Sequence, residues 1–271
     1  MNNLYKIQCI TNLHVGSGDS NYGIIDNLVQ RDVLTNFPTI NESSLKGSIK
    51  EFFVNEVKKE KGSLTKEAQK DPRIKAIFGN EDGQGDYRFH AGHVLLFPVR
   101  TNKVPYLLAT CPKVLHDFCE LAKVLGVGID KLEPITDFAA LTIEPTKPLV
   151  FDEKHVNVLI EYPEIKAIKY SGSVPEFLGE CDEIVLMHDD DFKKVCGENK
   201  LPVIARNHLE DGKSTNLWYE EIVPRKSVFY CFVEESEKEN DFFCENMVKP
   251  MQLGANASIG YGLVTFKKVL P

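Results

Sequence analysis

His14-Val-Gly-Ser-Gly-Asp-Ser-Asn-Tyr-Gly-Ile-Ile-Asp-Asn-Leu-Val-Gln-Arg-Asp32 is the stretch that decides how this chain folds. It leaves the end of a strand. Leu4 to Thr11 alternates, with Tyr5, Ile7 and Cys9 on one face and Lys6 and Gln8 on the other, which is the period of two that a half-buried strand requires. Gly16, Ser17 and Gly18 then make a tight turn where backbone can approach a ligand closely. After Gly23 the short apolar run Ile24-Ile25 delivers Asp26, and Arg31 and Asp32 follow. One reading is a surface hairpin with solvated charges. The other is a backbone-lined phosphate site with Asp26 aimed into it.

Downstream, Phe37-Pro38 closes the loop, and Ser43 or Ser44 is placed to cap a helix. That helix buries Leu45, Ile49, Phe52, Phe53 and Val57 at helical spacing. Lys46 and Lys50 lie four apart on one side of it, the pattern of a solvated helix face. Lys58 to Lys70 is charged and poor in apolar residues. Asp71-Pro72 reads as a cap and first helical position, with Gly79 as the stop. The acidic, glycine-containing run Asn80 to Asp86 lacks calcium-loop spacing and is expected to be a flexible turn.

Arg88 to Arg100 is expected to be one long central strand, apolar on both faces from Val94 to Val99. His90 and His93, three apart, then point to opposite faces, which disfavours a metal pair. Arg100 reads as a charged strand end. Val104 to Thr110 reads as a strand and Cys111-Pro112 as the start of a helix. Val156 to Ile160 and Ile165 to Ile168 read as short strands. Asp189-Asp-Asp191 caps a helix over Phe192 to Cys196, or else holds magnesium.

Two runs, Leu201 to His208 and Thr215 to Ile222, flank Asp211-Gly212, a strong hairpin signal. Trp218, the only tryptophan, is expected to pack within the hairpin or the core. Val228 to Val233 is an apolar core strand, Glu234 to Asp241 a charged loop, and Phe242 to Met251 a second main helix. The chain closes on the glycine-rich Leu253 to Leu263 and a last strand to Val269. A glycine-rich turn before a strand can clamp a sugar-phosphate chain through backbone N–H groups.

Composition narrows the function. The chain has 271 residues, 42% of them apolar, and a net charge of −8. Free-standing nucleic-acid binders usually show a basic domain, so an RNA contact here must be a local groove or be shared with neighbouring subunits. Seven cysteines without Cys-x-x-Cys spacing argue for a reducing compartment and against a zinc ribbon. No apolar run approaches the ~20 residues of a membrane span. Neither a signal peptide nor a membrane partner is expected, and a cytoplasmic location is.

Several segments carry a resemblance: His14-Val-Gly-Ser-Gly, Gly23-Ile-Ile-Asp26 with Gln30-Arg31, Phe37-Pro38, Ser43 to Gly47, Phe97 to Arg100, Thr110 to Pro112, Leu217 to Glu221 and Leu253 to Leu263. In that order they resemble the backbone subunits of type III-B (Cmr) CRISPR effector complexes, in the RAMP superfamily of RNA-binding proteins. The chain departs from that family at Asn41-Glu42, Ala91-Gly92-His93, Ala255 and Tyr261.

The element order and the resemblance imply an α+β fold with a ferredoxin-like (RRM-like) core. It is expected as a single domain over 1–271, with insertions at about 60–87 and 123–221 and a long β-hairpin thumb at about 201–222. The resemblance further implies guide CRISPR RNA, single-stranded target RNA, copies of the same chain and other effector subunits as partners. It implies RNA contacts at Gly16, Ser17, Gly18, Arg31, Ser43, Ser44, Lys46, Lys50, Arg100, Arg206, Gly254, Asn256, Gly260, Tyr261 and Gly262. For cleavage it implies Asp26, with His14, Tyr219, Glu220 and Glu221 as helpers, and a divalent cation such as Mg2+ on Asp26. Two functions stay open at this point: an RNA-guided endoribonuclease, or a non-catalytic guide-RNA-binding backbone. A free-standing metal hydrolase would need a tighter cluster of histidines and carboxylates.

Overall fold

The computed structural model describes residues 2–18, 23–62, 64–81, 83–128, 132–235 and 240–269. The elements that position the site are, in chain order, β1 (Asn2–Cys9), α1 (Glu42–Lys61), β2 (Gly92–Arg100), β3 (Tyr106–Thr110), α2 (Pro112–Val124), β4 (Ile184–Leu186), β5 (Val203–Glu210), β6 (Lys213–Glu221), β7 (Val228–Glu234), α3 (Asp241–Met247) and β8 (Leu263–Val269).

Strand β1 lies between β7 and β8. Tyr5 faces Cys231 on one side, and Ile7 faces Phe266 on the other, both antiparallel. β2 pairs antiparallel with the far side of β7. The spatial order β8-β1-β7-β2, with α1 after β1 and α3 before β8, is the split βαβ arrangement of a ferredoxin-like core. β2 and β7 are far apart in sequence yet adjacent in space. The chain between them extends the sheet: β3 pairs with β2, and β4 runs parallel to β3. Leu149–Val150 and Ile168–Lys169 then continue that edge.

Helix α1 covers the core through Leu45, Ile49, Phe53, Val54 and Val57. Phe53 is wholly buried, and its ring lies 5.5 Å from those of Phe78 and Phe242 and 5.6 Å from that of Phe243. Truncating a phenylalanine in such a cluster typically costs about 3–5 kcal/mol, so Phe53→Ala would unseat the helix. At its far end Gly62 takes φ 62, the left-handed stop that glycine allows.

The start of α1 differs from expectation. The helix begins at Glu42, so Ser43 and Ser44 sit inside its first turn, and Asn41 makes no side-chain cap bond. Gln30 acts there instead. Its Oε1 accepts from the Asn41 N–H at 2.8 Å, and its Nε2 donates to Ser44 Oγ at 2.8 Å. A buried amide from the opening loop thus satisfies the Asn41 N–H at the helix entry and ties it to Ser44.

Other expectations shift by a few residues. The strand expected over Arg88 to Arg100 is interrupted at His90-Ala91, giving Arg88–Phe89 and β2. The second main helix ends at Met247, because Met251–Gln252 joins the sheet beside β8. The helix expected from Phe192 begins at Asp189, capped by His188, with the three aspartates in its first turn. Asp191 is buried there, accepting from the Thr146 N–H at 2.6 Å and pairing with Lys194 at 2.8 Å. Asp71 and Pro72 are cap and first residue of a short helix, as read. His90 meets Glu234, whereas His93 lies against Tyr230, so the two do not converge. Of the loops named above, residues 19–22, 82 and 236–239 lie outside the described residues.

β5 and β6 form a separate two-stranded ladder. Asp211 and Gly212 at its tip both have positive φ, 49 and 76, the conformation of the hairpin turn that matches strand twist. Residues 207–217 are exposed on both faces. The hairpin therefore projects, and only its root is packed. No helix among the described residues is long and apolar enough to cross a membrane.

Candidate functional site

Three segments meet at the root of the hairpin: the loop leaving β1, the end of β6 and the glycine-rich loop before β8. Backbone ladders join them. Leu13 and Val223 exchange two hydrogen bonds of 2.8 Å, tying the exit of β1 to the chain just after β6. Gln30 N donates to Val15 O at 2.8 Å, and Ser17 N to Leu28 O at 2.9 Å, so 15–17 pair with 28–30. Ala255 N donates to His14 O at 2.8 Å, and Gly262 N to Asn12 O at 2.7 Å. Those approaches need glycine. A Cβ on Gly254 would lie 2.3 Å from His14 O, and one on Gly262 2.0 Å from Leu253 O, both at positive φ.

Asp26 sits on the outer edge of this junction. Its N–H and that of Asn27 both donate to Tyr219 O at 3.1 Å, and Glu221 N donates to Asn27 O at 2.9 Å. The carboxylate is exposed, with Oδ2 accepting from the Tyr219 N–H at 2.7 Å. Asp26 is thus held on the strand that forms the hairpin while facing solvent. Tyr219, on the same strand, is exposed beside it.

The two glutamates that follow Tyr219 have opposite fates, because successive strand residues face opposite sides. Glu221 turns inward and its side chain is wholly buried. Arg31 Nη2 reaches Glu221 Oε1 at 2.5 Å, and Val29 N donates to Oε2 at 3.2 Å. Arg31 Nη1 is spent on the carbonyls of Asn36 at 2.8 Å and Cys196 at 3.0 Å. Arg31 and Glu221 therefore form an internal brace. This corrects the expectation of Arg31 as an RNA contact and of Glu221 as a helper in cleavage: neither charge is presented to a ligand.

Glu220 lies at the centre of the junction, and its side chain is 7% exposed. Oε1 accepts from Trp218 Nε1 at 2.8 Å and from Asn27 Nδ2 at 3.3 Å. Oε2 accepts from Asn256 Nδ2 at 2.8 Å and from Arg206 Nη1 at 3.0 Å. Burial pushes its carboxyl up, but donation from Trp218, Arg206 and Asn256 outweighs burial and holds it below the usual carboxylate range. Arg206 is thereby engaged within the fold. Its guanidinium also sits 5.4 Å from the Trp218 ring centre.

His14 is buried, with Nδ1 at 2.7 Å from Glu221 O. A carbonyl only accepts, so Nδ1 carries the hydrogen and Nε2 is left for the Gly16 side. A Cβ on Gly16 would come within 3.3 Å of that Nε2. Ser17, Gly18, Gly254 and Gly260 are exposed, Asn256 and Tyr261 half-buried, and Gly262 buried. Lys46 and Lys50 are half-buried on α1, whose first turn Gln30 joins to Gly16 O at 3.1 Å. Ser43 is exposed on that turn. Arg100 lies apart, at the end of β2, paired with Glu161 through Nε and Nη2 at 3.0 and 2.8 Å.

Asn27 and Gln30 carry structural roles in the site that the sequence did not suggest, whereas Trp218 sits in the hairpin root against Arg206 and Glu220. Only the ladder between Asn27 and Glu220, 193 residues apart, reveals the first. Among the described residues no three His, Cys, Asp or Glu side chains gather as a metal cage.

The match to known proteins spans the chain. The family model of the RAMP superfamily matches residues 6–265. The "CRISPR system Cmr endoribonuclease Cmr4" of Pyrococcus furiosus is 28% identical, covering 98% of this chain and 96% of that protein. The "CRISPR system CMR subunit Cmr4" of Saccharolobus solfataricus is 22% identical, covering 97% and 95%. Among solved structures, a chain of a type III-B Cmr-beta complex bound to cognate target RNA superposes with a TM-score of 0.79 at 21% identity, covering 99% of this chain and 97% of that one. Oligomeric Cmr4 of Pyrococcus furiosus gives a TM-score of 0.67 at 21% identity, with both chains fully covered.

Proposed function

The chain belongs to the RAMP superfamily, and from that premise we propose that it is the backbone subunit of an RNA-guided type III-B CRISPR effector. Several copies line up along a guide RNA in the cytoplasm, beside other effector subunits, and each cuts the paired target RNA once. The guide supplies sequence specificity by base pairing. The protein reads backbone and shape, and the projecting hairpin separates successive segments of the duplex.

The observation that carries this reading is the placement of Asp26. It is exposed and held against the hairpin root at Tyr219, and its neighbour Asn27 is joined through Glu220 to Asn256 of the glycine-rich loop. Cleavage by the target's own 2′-hydroxyl needs a proton acceptor, alignment with the leaving oxygen, and relief of developing charge. Asp26 accepts the proton in this proposal. The glycine-rich loop and Lys46 and Lys50 grip phosphates. Tyr219, exposed beside Asp26, lies against the displaced nucleotide.

A divalent cation such as magnesium would be held by the exposed Asp26 carboxylate, and it would supply charge stabilisation at the scissile phosphate.

The test is to assemble the chain with its guide RNA and add a long complementary RNA. The expected result is a bound RNA of uniform length and target fragments at regular spacing. A complex that binds the target and leaves it intact would favour a non-catalytic backbone.

A further inference from the structure

We infer that Glu220 is the positioning residue of the cleavage site, the node that fixes the Asp26 loop, the hairpin root and the glycine-rich loop as one unit. This rests on the cleavage reading above and assigns Glu220 a role without proton transfer.

The geometry separates that role from acid–base work. The four donors on Glu220 come from three places: Asn27 beside Asp26, Arg206 and Trp218 on the two hairpin strands, and Asn256 in the glycine-rich loop. Each oxygen takes two of them, which uses the roughly four acceptor positions of a carboxylate. An indole N–H and a guanidinium can only donate. A proton on Glu220 would have to displace one of them in a site with little access to water. Donation from Trp218, Arg206 and Asn256 holds the carboxyl below the usual carboxylate range.

The links are also short in sequence. Asn27 adjoins Asp26, so the 3.3 Å bond to Glu220 anchors the catalytic loop one residue from the reacting group. Asn256 has φ 66, a left-handed conformation that asparagine tolerates, and its side chain crosses to Glu220 at 2.8 Å. A shift of the hairpin is thereby passed to both loops that face the RNA. Glu221 cannot do this, since its carboxylate is sealed among Arg31 and Val29.

The test uses Glu220→Gln in the guide-loaded complex, with two supporting variants. Glutamine keeps the shape, but its amide N–H groups face donors on one side. Target cleavage should slow by about 10²-fold, the scale of a misplaced reacting group. Target affinity should stay the same, and the slope of log rate against pH should match the unsubstituted protein. Asn27→Ala with Asn256→Gly, glycine keeping the positive φ, should produce a similar loss, and adding Glu220→Gln should deepen it little, as for residues acting as a unit. Hydrogen exchange in the protein without RNA gives a readout free of activity: the Asp26 and Asn27 N–H groups should exchange faster in Glu220→Gln. Asn256→Gly alone, which removes the side chain and keeps the positive φ, tests the same link if the glutamine variant folds poorly.

A changed pH slope with unchanged exchange would make Glu220 an acid or base and overturn the inference. So would independent, multiplicative losses. If the unsubstituted complex did not cleave, the cleavage reading would fall, and the exchange result alone would decide whether Glu220 positions the loop.

Discussion

Replacing Arg31 with methionine should destabilise the protein by several kcal/mol while leaving no RNA-specific signature. Arg31 Nη2 lies 2.5 Å from Glu221 Oε1, with side-chain exposures of 11% and 0%. Methionine keeps most of the aliphatic bulk, so a cavity contributes little. What remains is a buried Glu221 carboxylate held only by the Val29 N–H at 3.2 Å, and two carbonyls, Asn36 O and Cys196 O, without their donor. Removing one partner of a buried ion pair typically costs about 3–5 kcal/mol. For a chain of this size each kcal/mol lowers Tm by about 2–4 °C, so the fall should be about 6–20 °C. Thermal unfolding of the isolated protein, followed by circular dichroism, reads it. Arg31→Met with Glu221→Leu should recover much of the loss, because the pair is then replaced by apolar groups. A fall under about 2 °C, with a weaker dependence of guide binding on salt, would put Arg31 on RNA and refute the brace.

Three further outcomes are expected. Lys46→Ala with Lys50→Ala should weaken guide retention in the assembly, measured by co-purified RNA, with Tm unchanged because both lie off the buried stripe of α1. Deleting 207–214 should leave the thermal transition in place, since 207–217 is exposed throughout, and should remove the regular spacing of target fragments on a gel. Arg73 and Lys61 hold the Asp71 carboxyl well below the usual carboxylate range. A depressed folded pKa contributes stability above the unfolded value near 3.9 and loses it as pH falls toward the folded value. The Tm gap between the native chain and Asp71→Asn should accordingly be constant above about pH 5 and shrink below about pH 4.

Features set by neighbours in sequence were legible, and those set across the sheet were not. Asp211-Gly212 announced the hairpin because two adjacent positive φ values need those residue types. Leu45, Ile49 and Phe53 announced α1 by their spacing, and Val228 to Val233 announced a core strand by its unbroken apolar run. Ile184–Leu186 escaped notice because three residues show no period, and its partner β3 lies more than 70 residues upstream in parallel pairing. The helix Glu133–Ala139 was equally too short to show one. Ser43 and Ser44 pointed to the right turn of α1 but to the wrong cap, since Gln30 reaches it from another loop. At the site, Asp26 stood out by following Gly23 and an apolar pair. The division of labour between Glu220 and Glu221 was invisible, because it depends on which face of β6 meets Arg31 and which meets Asn256.

The most direct measurement is timed cleavage of a long complementary RNA by the guide-loaded complex carrying Asp26→Asn. Asparagine keeps the shape and can still accept the Tyr219 N–H that Asp26 Oδ2 takes at 2.7 Å, but it takes up no proton at neutral pH. Assembly, guide length and target affinity should be unchanged, and the rate should fall by at least the 10²–10⁴-fold typical of a lost general base, roughly, at every cut position. Cleavage at the unsubstituted rate would contradict the account, and loss of target binding along with cleavage would make Asp26 an RNA-positioning residue instead.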